Sequence, residues 1–254
     1  MSLPRRHPAS KFEPEEWDRI YDGPQATGRS FIFRRASELA LGICREIMLP
    51  GQRWVDLGCG TGHLMRACSD LGASIIGADH DAHMVEFAKQ KSADTPLWRN
   101  LHFIVAQVER LPFDNATLDG VIATSVMGCL PSPQDFFAEA HRVLRDAGHA
   151  VFTFTNQSSG LLKLNSLPAH LTDLRHRESN RQDIRLYRDT HVSENLEQLG
   201  FRILRVDFYN FVLQAGNWSM PPSRFAKKLE RFGRHRFSRW LARNFIVTAQ
   251  KVPT

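Results

Sequence analysis

The stretch WVDLGCGTGHL at residues 54–64 indicates the fold of the whole chain. Residues 54–57 are a short apolar run with an acid, Asp56, near its end, as in a buried β-strand, and Gly58, Gly60 and Gly62 follow at every second position. Glycine at such positions lets a ligand approach the main chain closely. We therefore predict a strand, a turn and a helix start, with a nucleotide-like ligand at the carboxyl end of the strand.

The glycine spacing separates two kinds of ligand. A dinucleotide-binding fingerprint requires its third glycine three positions after the second, where this chain has His63. The stretch instead resembles motif I of the class I S-adenosylmethionine-dependent methyltransferases. That cofactor has no phosphate, so the turn has only to seat an amino-acid end and leave room for a sulfonium. A tight strand-to-helix turn without a ligand is the alternative.

The composition is that of an ordinary globular protein with one α/β core. The chain has 254 residues, of which 42% are hydrophobic and 24% charged. Its four cysteines show no paired spacing and its first fourteen residues are polar, so we expect a cytoplasmic protein. No apolar run approaches the length that crosses a bilayer, and no metal site is expected. We divide the chain into an N-terminal arm, 1–27, and a methyltransferase domain, 28–254.

Strand and helix patterns alternate after the glycine turn. Residues 73–78, 101–106 and 119–125 read as buried strands, 201–213 as an alternating strand and 244–250 as a final strand. This order predicts a doubly wound, mostly parallel α/β sheet. The resemblance implies seven strands with an antiparallel last strand, the Rossmann-like methyltransferase fold.

A second segment sharpens the resemblance. Residues 107–113, QVERLPF, resemble the adenine-pocket segment of methyltransferases of the ubiquinone and menaquinone biosynthesis type. That family usually has an acid where this chain has Gln107, whose side-chain amide can accept from and donate to adenine, but without the assistance of a charge. The family's proline-glycine-glycine turn is replaced here by Asp146-Ala147-Gly148.

The resemblance implies a set of cofactor-binding residues. Asp79 follows the glycines by about twenty positions, where a carboxylate accepts ribose hydroxyl protons, although it also suits a helix cap. Tyr21 is expected either to fold over the cofactor or to pack on the first helix. If the acceptor is a hydroxyl, His191 or His141 could act as the base; otherwise both are surface histidines. The full cofactor-binding set is Asp56, Gly58, Cys59, Gly60, Asp79, His80, Gln107, Val108, Thr124 and Ser125.

Two insertions are candidates for acceptor recognition. Residues 156–189 are polar and follow a strand end, which predicts either a lid over the acceptor or a solvated loop. Residues 221–243 hold eight Lys or Arg and one acid, whereas the remainder of the chain is close to neutral. As one helix over 223–243, or as two helices divided at Gly233, they would have an aromatic half and a basic half. The apolar half could pack on the domain, the whole could meet anionic lipid or an apolar substrate, or the charges could follow nucleic-acid phosphates.

These features predict transfer of a methyl group from S-adenosylmethionine to a small apolar or amphiphilic acceptor. An RNA methyltransferase is one alternative, although residues 124–127, TSVM, lack the Asn/Asp-Pro-Pro-aromatic sequence common in base-amine methylation. A methyltransferase-like binding protein without catalysis is the other, because of Gln107 and the altered turn at 146–148.

Overall fold

A seven-stranded sheet with helices on both faces forms the molecule. A computed structural model of the chain describes residues 13–22, 28–94, 98–130, 132–166, 185–215, 218–220, 228–235 and 237–253. The sheet order is β3-β2-β1-β4-β5-β9-β6, and β9 runs antiparallel to both of its neighbours. The predicted doubly wound fold with an antiparallel last strand is confirmed.

The elements follow the predicted alternation. The strands are β1 (Arg53–Leu57), β2 (Ser74–Asp79), β3 (Leu101–Val105), β4 (Leu118–Ala123), β5 (Leu144–Thr155), β6 (Phe201–Tyr209), β7 (Leu213–Ala215), β8 (Trp218–Met220) and β9 (Asn244–Lys251). The helices are α1 (Pro14–Asp22), α2 (Gly28–Ile47), α3 (His63–Cys68), α4 (Ala82–Ser92), α5 (Pro133–Val143), α6 (Gly160–Ser166), α7 (Asp189–Gln198) and α8 (Ser238–Leu241).

Two apolar layers cover the central strands. Trp54 is fully buried on one face, and a Cβ on Gly120 would lie only 2.1 Å from its ring, so β4 must be bare at that position. Phe137 and Phe152 stack on the other face, with centroids 5.9 Å apart. Burial on both faces explains why β1 and β4 read as continuous apolar runs.

The direction of β9 places several loops at one edge of the sheet. Asn244, the first residue of β9, pairs with Thr155 at the end of β5 and with Tyr209 at the end of β6. The chain between β6 and β9 therefore leaves and re-enters the sheet at the carboxyl edge of the parallel strands.

Three expectations about the second half need correction or fall outside the described residues. The predicted strand 201–213 ends at Tyr209, because Asn210 adopts φ 60° and turns the chain; residues 213–215 pair with 218–220 instead. Most of the predicted lid 156–189, residues 167–184, lies outside the described part. So do residues 221–227 and 236 of the basic segment.

A continuous basic helix over 223–243 is wrong for the part that is described. Residues 230–232 form a single 3₁₀ turn, Gly233 follows, and α8 spans only four residues. The Gly233 carbonyl accepts a 3.0 Å hydrogen bond from the amide of Phe208, which ties the segment to the end of β6. Its apolar side chains are also not packed on the domain, since Phe237 and Trp240 are 77% and 62% exposed.

Candidate methyl-donor site

One pocket opens at the carboxyl edge, above the ends of β1, β2 and β4. Residues from the glycine turn, the end of β2, the segment after β3 and the loop after β4 line it. All ten residues of the predicted cofactor set lie in its wall: Asp56, Gly58, Cys59, Gly60, Asp79, His80, Gln107, Val108, Thr124 and Ser125. The sheet topology thus brings together side chains that are up to 69 positions apart, from Asp56 to Ser125.

The glycine turn is built from left-handed backbone. Gly58, Gly60 and Gly62 have φ of 68°, 51° and 74°, a region in which a side chain is strained. The amides of Gly58 and Cys59 both donate to the Ala78 carbonyl, at 2.8 and 3.2 Å, which fixes the turn against the end of β2.

The glycines differ in what surrounds them. A Cβ on Gly58 would lie 2.3 Å from Val126 Cγ2, so the loop after β4 packs directly on the turn. A Cβ on Gly60 would meet no atom within 4 Å. Gly60 is therefore bare towards open space, and its backbone is accessible to a ligand in the pocket.

Asp79 ties the turn to β2 as well as lining the pocket. Its Oδ2 accepts a hydrogen bond from the Gly60 amide at 2.9 Å, and its Oδ1 accepts one from the Asp81 amide at 3.0 Å. Burial raises the pKa of this carboxyl group, although the two backbone donors oppose the shift. A carboxylate has about four acceptor sites, and Oδ1 also lies 3.4 Å from His80 Nδ1, so Oδ2 is the oxygen that retains a lone pair for a ligand hydroxyl. Asp81, as predicted, caps α4 by accepting from the His83 amide at 2.9 Å.

Asp56 is the second carboxyl group beneath the pocket. It is buried, and its Oδ1 has no hydrogen-bond partner among the described residues. Burial, together with the charge of Asp79, raises its pKa to about 8. The Thr61 hydroxyl nearby is likewise buried without a partner in the described part. Two buried polar groups that line the pocket without partners fit a polar, cationic ligand.

The segment after β3 forms another wall. The amide of Arg110 donates to the Gln107 carbonyl at 3.1 Å and closes a tight turn. Val108 is buried within this turn, whereas Gln107 is exposed at the pocket. Both therefore line the pocket, and their contact with adenine stays a prediction from the resemblance.

The loop after β4 forms the opposite wall. Ser125 has φ 62°, and its amide donates a 2.8 Å hydrogen bond to the Thr153 hydroxyl on β5. This contact holds a non-glycine residue in a left-handed conformation that it rarely adopts. Val126, Cys129 and Leu130 continue the wall, so it is largely apolar beyond Ser125.

Helix α1 covers the pocket from the side of the N-terminal arm. The Tyr21 ring stacks on the His63 imidazole with centroids 4.9 Å apart, and Trp17 lines the pocket one helical turn earlier. Lys91 on α4 forms ion pairs with Asp18 and Asp22, and the Asp22 carboxylate also contacts His63 Nδ1 at 2.8 Å. Both expectations for Tyr21 have support, since its ring lines the pocket and also lies edge-on to Phe33 of α2, with centroids 6.5 Å apart.

Sequence reasoning missed several lining residues. Trp17, Ser37, His63 and Cys129 belong to the pocket but not to the predicted set. The only available signal was the spacing of Trp17 and Tyr21, four residues apart on one helical face. Ser37 gave none.

Neither candidate base reaches this pocket. His141 lies in the last turn of α5 at the opposite edge of the sheet, where its ring packs against Phe201 and burial lowers its pKa. His191 is exposed in the first turn of α7 and is not part of the pocket wall. The structure gives no support to either histidine as the base, because both rings lie outside the site.

Comparisons with known proteins agree with this geometry. Residues 55–152 match the family model described as a methyltransferase domain. The ubiquinone/menaquinone biosynthesis C-methyltransferase of Coxiella burnetii is 30% identical over 47% of this chain and 48% of its own length. A phthiotriol/phenolphthiotriol dimycocerosates methyltransferase of Mycobacterium leprae is 32% identical over 55% of this chain and 52% of its own. The magnesium protoporphyrin IX methyltransferase of Synechocystis PCC 6803, solved with bound SAH, has a TM-score of 0.67 at 17% identity and covers 93% of both chains.

Residues 55–152 thus match a methyltransferase domain, and the fold around them is that of solved methyltransferases. This methyltransferase domain runs from β1 into β5 and so contains the glycine turn, Asp79, the segment after β3 and the loop after β4. The chain spans about half the length of the curated relatives it matches. Among the described residues, no helix combines the length and the apolar character that a bilayer crossing requires.

Proposed function

We propose that this chain transfers a methyl group from S-adenosylmethionine to a small acceptor that is apolar or amphiphilic. The observation that carries the proposal is the convergence of a bare-backbone turn, two buried carboxyl groups and an apolar wall on one pocket at the carboxyl edge. When bound, S-adenosylmethionine supplies an electrophilic methyl group on a positively charged sulfur. The orphaned oxygens of Asp56 and Thr61, and the open space over Gly60, fit the polar and cationic parts of this molecule.

In this proposal the residues of the chain bind S-adenosylmethionine and orient it. Gly58, Cys59 and Gly60 seat the amino-acid end, and Asp79 accepts from a ribose hydroxyl with the lone pair that Oδ2 retains. A cation above Asp56 favours the ionised form of that carboxyl group, whose pKa is otherwise raised. Gln107 and Val108 contact the adenine.

The wall of Thr124, Ser125 and Val126 positions the acceptor. Displacement at a sulfonium is intrinsically favourable, so orientation and exclusion of water supply most of the rate. The described residues therefore need to provide no dedicated base, in keeping with the remote positions of His141 and His191. Helix α1 excludes water from the other side through Trp17 and Tyr21.

Two further observations support a small acceptor. Val126 and Leu130 make the transfer side of the pocket apolar. The relatives named for ubiquinone/menaquinone biosynthesis and for phthiotriol dimycocerosates support a small molecule rather than a nucleic acid. Contact of segment 221–243 with a membrane or lipid surface is part of the same proposal, as is a cytoplasmic location, which the unpaired cysteines support.

Calorimetry with S-adenosylhomocysteine tests the donor site first. We expect binding by the wild type and a loss of at least about tenfold for Asp79→Ala, because each good hydrogen bond to a charged group contributes about 1.5–3 kcal/mol. Asp70→Ala, at an exposed carboxylate outside the pocket, is the matched control and should bind as the wild type does. Absence of binding at millimolar ligand overturns the proposal.

S-adenosylmethionine with a labelled methyl group then shows which class of acceptor receives the methyl group. Label in phenolic, quinol or sterol acceptors supports the proposal, whereas label only in RNA makes the chain an RNA methyltransferase. Tight donor binding without transfer to any class identifies a methyltransferase-like binding protein.

A further inference from the structure

An exposed apolar cluster lies at the same edge of the sheet as the methyl-donor pocket. Five large apolar side chains within thirteen residues are exposed: Leu229, Phe232, Phe237, Trp240 and Leu241. They precede β9, which begins at the carboxyl edge beside the end of β5. We call these five residues the apolar cluster. Clustered exposed aromatics at this density mark an interaction surface rather than ordinary surface composition.

The exposed charged residues beside the apolar cluster are mainly basic. Glu230 is the only acid among residues 221–243, and its side chain is only 5% exposed. It turns inward, where Oε2 pairs with Arg35 Nε at 2.5 Å and Oε1 accepts from the Asn210 amide at 3.0 Å. Lys228 and Arg231 are exposed beside the cluster. Of the other described bases, Arg234 pairs with Asp207 but stays 67% exposed, and Arg239 pairs with Asp189. The described surface of the segment is therefore basic, while Glu230 is neutralised within the fold.

A chain of hydrogen bonds leads from α8, which carries Trp240 and Leu241, to the loop that lines the acceptor side of the pocket. The Asn156 side-chain amide donates to the carbonyls of Arg239 and Ala242, both at 2.8 Å, and so holds α8 at the end of β5. Tyr187 pairs with Asn156 and donates its hydroxyl to the Met127 carbonyl at 2.8 Å. Met127 belongs to the turn that carries Cys129, which lines the pocket.

We propose that the apolar cluster and its flanking bases dock this protein on an anionic phospholipid bilayer, with the carboxyl edge of the sheet facing the membrane. The inference rests on the proposed function, because this orientation delivers a membrane-dissolved acceptor to the methyl-donor pocket. Aromatic side chains enter the acyl boundary while Lys228 and Arg231 meet lipid phosphates. An apolar face with bases at its rim complements such a surface, whereas RNA binding would leave the aliphatic members of the cluster exposed.

Vesicle flotation with the full chain tests the proposal. Vesicles of equal parts phosphatidylcholine and phosphatidylglycerol should bind the wild type, and pure phosphatidylcholine should bind at least about tenfold less at low salt, since each base near an anionic surface contributes about 1 kcal/mol. Phe237→Ser with Trp240→Ser should reduce binding to the anionic vesicles by at least about tenfold. Trp98→Ser is the matched control, because Trp98 is 51% exposed but precedes β3 at the opposite edge. It should bind as the wild type does.

The orientation has its own readout. Brominated lipid should quench the fluorescence of Trp240 but not that of Trp98. Replacing Trp240 alone should therefore remove the quenched part of the protein's fluorescence, whereas replacing Trp98 alone should leave that part unchanged. Failure of the wild type to bind anionic vesicles, equal loss in the Trp98 variant, or binding of single-stranded RNA in place of vesicles overturns the proposal. Calorimetry with S-adenosylhomocysteine on the same samples distinguishes a failure of membrane docking from a failure of the donor site. The Phe237 and Trp240 variant should bind this ligand as the wild type does, since neither residue lines that pocket.

Discussion

Tyr21 and His63 stack face to face across the mouth of the methyl-donor pocket, with ring centroids 4.9 Å apart and 19° between their planes. One ring belongs to α1 and the other to the first position of α3. The contact therefore joins the N-terminal arm to the glycine turn. Tyr21 also lies beside Ser37 and Asp56, so its ring closes one side of the pocket.

Replacing Tyr21 tests this closure. Tyr21→Ala should weaken binding of S-adenosylhomocysteine by about tenfold, because an aromatic pair contributes about 0.5–1.5 kcal/mol beyond its buried area. Tyr21→Phe keeps the ring and should retain most of the affinity. Calorimetry measures both variants; wild-type affinity in Tyr21→Ala would contradict closure by α1.

The ion pairs of Lys91 should support the same helix. Lys91→Met removes the contacts to Asp18 and Asp22 and should weaken cofactor binding by about two- to fivefold, as expected for partly exposed pairs. The loss should shrink as salt is added. Lys89→Met, on an exposed part of the same helix, is the matched control. A salt-independent loss, or an equal loss at Lys89, would argue against electrostatic anchoring.

A pair of glycine substitutions separates backbone strain from steric contact. Gly58→Ala and Gly51→Ala both place a side chain at positive φ, 68° and 81° respectively. Only at Gly58 does the new Cβ meet an atom, Val126 Cγ2 at 2.3 Å. Gly58→Ala should therefore lower the free energy of unfolding by about 1–3 kcal/mol more than Gly51→Ala does. Urea denaturation measures the difference, and Val126→Ala should restore part of it in the double variant.

The raised pKa of Asp56 predicts a pH dependence of stability. The carboxyl group titrates near pH 8 when folded and near its ordinary value of 3.8 when unfolded. Between these values the folded state holds a proton that the unfolded state has lost, so the free energy of unfolding falls as the pH rises, by at most about 1.4 kcal/mol per pH unit. Above pH 8 this contribution no longer changes.

Asp56→Asn should remove that share of the pH dependence. Urea denaturation of the ligand-free protein between pH 5 and pH 9 compares the slopes of variant and wild type. Asp79 has a raised pKa for the same main reason, so a residual slope of the same sign should remain. Asp70→Asn, at an exposed carboxylate, should leave the slope unchanged. Identical slopes in Asp56→Asn and wild type would contradict the burial argument.

The donor pocket could be predicted from sequence because its parts are local. Gly58 and Gly60 come just after the end of one strand, and Asp79 is the last residue of the next strand. The carboxyl ends of parallel strands meet at one edge of a sheet, so these residues line one pocket. The cap over the pocket depends on contacts between distant positions, such as Lys91 with Asp18, which no local pattern records. The motif does not show a second role of the glycine turn. Because Gly58 has no side chain, Val126 can pack against it, in addition to the turn that its positive φ allows.

The basic segment shows where periodicity fails. A helical wheel assumes an unbroken helix, but a Cβ on Gly233 would lie 2.5 Å from the Phe208 carbonyl oxygen, and that close approach holds the segment against β6. Phe232, Phe237 and Trp240, which the wheel gathers on one side, are exposed. The sequence pattern predicted which residue types lie on the surface of this segment, but it did not predict how the segment folds.

The reversed direction of β9 has an evolutionary consequence. The match to the methyltransferase family ends at residue 152, within β5, whereas both candidate recognition insertions follow it. Because β9 enters the sheet at the carboxyl edge, any sequence added between β6 and β9 emerges beside the donor pocket without altering the five parallel strands β1 to β5. Under the proposed function, a lineage could exchange sequence there and so change what is methylated, while the residues that line the donor pocket stay as they are.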